Sequence, residues 1–233
     1  HRPPRANVAA PPGMPLPSEH ENRQMEGWTV RVDKRLLDPA RREPGEHALR
    51  MLEAQLGMIA LVVPAPALAK LREVPIQIGL DHGNLRPMQY HPSASWLKAN
   101  GYSTNLEKCV HIPRVDDFAS PSEFHRMPWA VLHELAHAYH DRVLGFDEPR
   151  IRALYGKVKA GGRLDSVLRV DGRKARHYAL TDHKELFAEM TESYFGVNDF
   201  FPFLAAELQQ SEPETYTLLR EIYLLDTDGR RWS

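Results

Sequence analysis

A chain of 233 residues with a single cysteine, Cys109, has to hold itself together by packing. One thiol closes no disulfide within the chain and builds no thiolate-rich zinc site. Any zinc held here must sit on imidazole and carboxylate, the ligand set of catalytic rather than structural sites. The chain has 12 histidines to draw on. Hydrophobic residues at 42% and charged residues at 26% allow a packed core and argue against global disorder. Lys and Arg number 30 against 31 Asp and Glu, a net charge of −1. That balance gives no support for a nucleic-acid partner or a polybasic membrane surface.

The ends read differently from the middle. Residues 1–24 contain Pro3, Pro4, Pro11, Pro12, Pro15 and Pro17. Proline fixes φ and removes a donor, so this stretch reads as an extended leader, followed by one domain over residues 25–233. The numbering opens on His1, which reads as a trimmed chain. A leader of this kind fits an exported protein, secreted or of the cell envelope, whose signal was removed. Residues 226–233 read as a short polar tail. The longest apolar stretch, residues 55–69, is broken by Pro64 and Pro66 and falls short of the roughly 20 residues a membrane-spanning helix needs.

Between the ends, residues 28–32 alternate as a strand, and residues 74–80, 88–91 and 108–115 read as further short strands. The last two are split by what reads as a loop rich in Asn, Gly and Ser. Leu49, Leu52, Leu56, Ile59 and Val63 follow helical spacing. Later segments are mostly helical: a capped start at Ser120, a helix from Pro128 to the stop at Gly145, and others over 148–159, 182–195, 200–209 and 212–225. Asp171–Gly172 marks a hairpin turn. Strands early and helices late make the class α+β.

The chemistry gathers in two of these helices. His133–Glu134–Leu135–Ala136–His137 is H-E-x-x-H. On a helix, positions i and i+4 share a face, so two imidazoles can grip one zinc ion. Glu134 between them is placed to take a proton from an attacking water. Leu132, Leu135, Ala136, Tyr139 and Val143 form the apolar stripe of this helix. His140 lies seven residues beyond His133, about 10 Å along the axis, too far to share the ion. It reads as solvated or as a neighbour of the ligands. A catalytic zinc needs a third protein ligand. Glu185, Glu189 and Glu192 stand at i, i+4 and i+7 of the later helix and share a face. The plain alternative for such a stripe is a solvated acidic surface. His177 and His183 compete as ligands but fit the helical face less well.

Residues 178–189, Tyr-Ala-Leu-Thr-Asp-His-Lys-Glu-Leu-Phe-Ala-Glu, resemble the second active-site motif of the anthrax lethal factor metallopeptidase family. That motif has a tyrosine seven residues before a zinc-binding glutamate, then two bulky residues and Ala-Glu. The spacing of 48 residues from His137 to Glu185 is also similar. The resemblance covers the two helices and the tyrosine only. It implies a zincin-like domain, with a small mixed sheet packed on the active-site helix and a helical C-terminal part. It implies one catalytic Zn2+ on His133, His137 and Glu185, Glu134 as general base, and Tyr178 at the oxyanion. Glu189 would be a supporting carboxylate. One turn beyond a ligand, Glu189 could also accept the free N–H of a bound imidazole. Tyr178 has a plain alternative as a half-buried hairpin aromatic.

The expected activity is that of a zinc-dependent endopeptidase acting on a protein or peptide. The strand around Val110 and Ile112 is the candidate edge for an extended substrate, against the alternative of an ordinary internal strand. Two other readings compete: a catalytically silent zincin-fold binding protein, and a zinc hydrolase of a non-peptide amide. His82, His91, His111 and His125 read as loop or core residues, Trp129 as core, and Cys109 as a small buried residue.

Overall fold

The computed structural model describes residues 16, 17 and 19–224. It is α+β, and its contacts gather into two compact units. Among the described residues, the first comprises those up to Gly57 with Arg72–Phe124, the second Met58–Leu71 with those from His125 on. Most of the expected leader and the whole polar tail lie outside the described residues. The last part of the leader is not a linker, however: His20–Met25 is a strand, β1.

The first unit is built on a five-stranded mixed sheet. Its other strands are β2 (Trp28–Asp33), β3 (Ile76–Ile78), β4 (Gln89–Tyr90) and β5 (Val110–Ile112), in the order β1-β2-β3-β5-β4. β1 and β2 run antiparallel, β3 and β5 join parallel, and β4 closes antiparallel on β5. β2 shows why it was legible: Trp28, Val30 and Val32 are buried while Thr29 and Arg31 are not. β3 and β5 are buried at every position, the pattern of strands covered on both faces. β5 therefore lies inside the sheet between β3 and β4, and the edge expected at Val110 and Ile112 is an internal strand.

Helix α1 (Arg42–Val62) begins in this unit and buries Leu49, Leu52 and Leu56 along one stripe. The region expected as a loop between β4 and β5 contains α3 (Ala94–Ala99), capped by the Ser93 hydroxyl, which accepts from the Trp96 amide. Leu97 of α3 packs with Leu85, Tyr102, Leu106 and Cys109. Burial pushes the Cys109 thiol up to about 12, so it behaves as a small apolar residue. Two short helices, α4 (Val115–Phe118) and α5 (Pro121–Arg126), follow β5.

The second unit is mostly helical. It contains most of α2 (Ala65–Arg72), then α6 (Ala130–Tyr139), α7 (Pro149–Gly161), α8 (His183–Phe195), α9 (Ala205–Ser211) and α10 (Pro213–Leu224). A small hairpin, β6 (Val167–Leu168) and β7 (Lys174–Ala175), turns at Asp171–Gly172. α6 widens into a π-turn at His140–Leu144 before Gly145, at φ +82°, ends it. α6 packs on α8. At one end of this pair a glycine is required: a Cβ on Gly196, just past α8, would lie 2.2 Å from the ring of Trp129, just before α6. No helix among the described residues is long and apolar enough to cross a membrane.

Candidate metal centre

Two helix starts set the site. The side chain of Asp182 caps α8 by accepting the Glu185 amide at 2.8 Å, which fixes Glu185 in the first turn. α6 presents His133 and His137 one turn apart, with ring centroids 4.8 Å apart and ring planes nearly perpendicular. The three side chains converge. His133 Nε2 lies 3.0 Å from Glu185 Oε2, His137 Nε2 lies 3.1 Å from His133 Nε2, and His137 Nε2 lies 3.3 Å from Glu185 Oε2.

A triangle with these edges fits a zinc ion. Zinc binds imidazole nitrogen and carboxylate oxygen at about 2.0–2.2 Å, which places tetrahedral ligand atoms roughly 3.3 Å apart. The chemistry of the donors asks for a proton or a metal ion among them as well. Glu192 Oε1 sits 2.5 Å from His133 Nδ1, so that nitrogen carries the proton and donates to the carboxylate. His133 Nε2 then turns a lone pair toward a carboxylate oxygen and a second imidazole nitrogen. Such a set is mutually repulsive until a proton or a metal ion lies among its members.

Burial raises the stakes. Relative exposure is 0% for His133, 3% for His137, 5% for Glu185 and 0% for both Glu189 and Glu192. The acidic stripe of α8 is thus not the solvated face that such a pattern usually means. Buried carboxylates persist only where cations or strong donors offset desolvation. Burial alone would raise the Glu185 carboxyl, but His137 and His133 outweigh it and hold it well below the ordinary carboxylate range. Among the described residues, two groups could hold a metal ion: His133, His137 and Glu185, and His133 with Glu189 and Glu192. They use opposite nitrogens of one ring.

The remaining expected residues fall as follows. Glu134 is buried on α6, 4% exposed, between the two histidines in sequence. Tyr178 is half-buried at the head of a 3-10 turn, Tyr178–Leu180, that packs on α8. Glu189 stands 3.4 Å from His133 Nδ1, but the closer carboxylate is Glu192, which the sequence reading placed on the right face and gave no role. The signal was the i, i+7 spacing, two turns from Glu185.

His140 is neither solvated nor a neighbour supporting the ligands. It is fully buried, with its ring against Phe146, His183 and Phe187 and, among the described residues, no hydrogen-bond partner on either nitrogen. Burial pushes it down to about 3, so it is a neutral packing residue. The competing ligands are occupied elsewhere: His183 Nε2 donates to the Phe146 carbonyl at 2.7 Å, and His177 Nδ1 accepts the Ala179 amide at 3.0 Å. Second-layer bonds also pin α8, where Asn198 donates to the Glu189 carbonyl and Thr191 bonds Tyr223. No family model matches the chain, and no curated protein or solved structure matches it either.

Proposed function

We propose that this centre holds one catalytic zinc ion and that the chain is a zinc-dependent endopeptidase of the zincin kind. The observation that carries the reading is the buried triangle of His133 Nε2 and His137 Nε2, from the helix that also bears Glu134, with Glu185 Oε2 from α8. Zinc, when bound, supplies Lewis acidity: it polarises a carbonyl and acidifies water. The chain's own residues supply the rest. His133, His137 and Glu185 hold the ion. Glu192 accepts the hydrogen bond of His133 Nδ1–H and so locks the tautomer that turns Nε2 to the metal. Glu134 accepts a proton from the attacking water and delivers it to the leaving amine. The Tyr178 hydroxyl donates to the oxyanion as the carbonyl becomes tetrahedral.

Glu134→Gln tests this. The variant should bind zinc with the parent stoichiometry while peptide hydrolysis falls by about 100-fold or more. Hydrolysis at the parent rate in that variant would remove Glu134 from its role. Zinc bound by the parent chain without turnover on any peptide in a mixed library would favour the silent binding protein.

A further inference from the structure

The hairpin that precedes Tyr178 has one edge taken and one open. On one side β6 pairs with the segment 199–201: Val170 donates to the Asp199 carbonyl at 3.0 Å, and Phe201 donates to the Leu168 carbonyl at 2.8 Å. On the other side β6 pairs with β7, with Leu168 opposite Lys174 and Val167 opposite Ala175. The Arg169 amide bonds the Arg173 carbonyl at 2.8 Å, and the Leu168 carbonyl serves Phe201. Leu168 and Lys174 are therefore a non-hydrogen-bonded pair, and the N–H and C=O of Lys174 point away from β6. Lys174 is exposed, and among the described residues nothing pairs with its backbone along that edge.

The charge beside this edge is one-sided. Lys174 has no ion-pair partner among the described residues. Arg176 reaches Asp165 only at 3.9 Å and the Leu180 carbonyl at 3.4 Å. Arg173 is exposed at the turn, where Asp171 accepts the Arg173 amide at 3.1 Å and lies 3.5 Å from Arg169, which leaves Lys174 as the cation without an acidic partner among the described residues. Beside Lys174, on the same face, Leu168 and Val170 are each 44% exposed. A lysine on an open edge repels a basic strand, resists a neutral one because its ammonium would lose water, and admits an acidic one.

The geometry points to the β7 edge as the substrate-binding edge of the chain, taking an extended acidic peptide. This rests on the peptidase reading and names its substrate class. Backbone pairing with Lys174 would anchor the peptide, and side chains on its Lys174-facing side would be Asp or Glu. Lys174 is four residues from Tyr178, at most about 14 Å of chain. With the reach of the tyrosine side chain, the acidic position falls within about six residues of the cleaved bond.

The test uses the full chain loaded with zinc and a peptide set carrying a single Glu, Gln or Lys at each position near the cleavage point. Glu peptides should show a KM about three- to fivefold lower than Gln peptides at low salt, with the gain lost at high salt. Lys174→Glu should reverse the preference through KM, with kcat and zinc content unchanged. Equal KM for Glu and Gln peptides, or a preference that Lys174→Glu does not move, would overturn the inference and leave the peptidase reading standing. Binding of the same peptides to Glu134→Gln, followed by fluorescence anisotropy, separates the two claims. Lys174-dependent capture of acidic peptides, with no peptide cleaved by the parent chain, would sustain this surface and sink the peptidase reading. A dimer of the chain that Lys174→Glu disperses would overturn it, since the edge would then belong to a second copy.

Discussion

His91 Nε2 and His111 Nδ1 meet at 3.2 Å in the first unit, much as His133 and His137 meet at 3.1 Å in the second. Both pairs are buried. What surrounds them differs. Around His111 stand other rings: His82 edge-on at 4.7 Å, and Trp96 stacked against His91 and Tyr102. The ring nitrogens His82 Nε2 and His111 Nε2 have no hydrogen-bond partner among the described residues. Burial, with neighbouring imidazoles reinforcing it, holds His111 well below its ordinary range, and burial pushes His82 down to about 4. Around His133 stand Glu185, Glu189 and Glu192. Imidazoles packed on imidazoles stay neutral, whereas imidazoles packed on buried carboxylates call for a cation. The difference between the two histidine pairs lies in the glutamates of α8, not in the histidines, and it is what makes the second pair a candidate for a metal.

Removing a ligand should break this contrast most severely. His137→Ala or Glu185→Ala should weaken zinc binding by more than about 100-fold, beyond the range for a supporting residue, as read by competition with a chelating dye. An unchanged affinity in Glu185→Ala would sink its place among the ligands. Glu192→Gln keeps the shape but removes the carboxylate that accepts the His133 Nδ1–H hydrogen bond, and should weaken zinc about 10- to 100-fold. If Glu189→Gln has that effect and Glu192→Gln has none, the closer contact is not the one that orients the ring.

Gly196→Ala probes the packing that carries the centre. Its Cβ would run into Trp129, which must shift at the head of α6. A loss of about 1–3 kcal/mol in urea unfolding is expected, with weaker zinc binding. Full stability would mean that the ring moves aside freely.

The first unit's histidines make a prediction in pH. A buried imidazole with its folded pKa below the unfolded value near 6.5 takes up a proton only on unfolding. Above pH 6.5 it has no effect. As the pH falls from 6.5 toward 4, the unfolded state gains ground, by roughly 2 kcal/mol at pH 5 for His82 alone. His82→Gln should flatten this loss in urea titrations at pH 7.5 and pH 5. His140 and His177 add the same sign in the second unit, since burial pushes both down to about 3. An acid sensitivity identical in parent and variant would show that His82 is not the group involved.

Much of this was legible in residue order, and the reasons are local. α6 and α8 announce themselves by apolar spacing, by the cap at Asp182 and by the glycines at their ends. Helical spacing put His133 with His137 on one face and Glu185 with Glu189 and Glu192 on another, and the resemblance singled out Glu185 as the proposed ligand. What escaped depends on contacts distant in sequence. β1 has only Met25 buried and trails a proline-rich stretch, so it shows as a strand only once β2 pairs with it. α3 rests on one serine cap in a polar stretch. The place of β5 inside the sheet is a matter of strand order, which no single segment encodes. His140 is enclosed by Phe146, His183 and Phe187, two of them from beyond its own helix by more than 40 residues. The role of Glu192 was hidden because a helical face names its members without saying which one a partner ring will meet.

Zinc titration of the metal-free chain, followed calorimetrically, tests the central claim most directly when run on the parent, His137→Ala and His91→Gln. One zinc per chain is expected in the parent and in His91→Gln, and none of comparable affinity in His137→Ala. Zinc retained by His137→Ala, or lost with His91→Gln, would place the metal away from the glutamates of α8 and contradict the account.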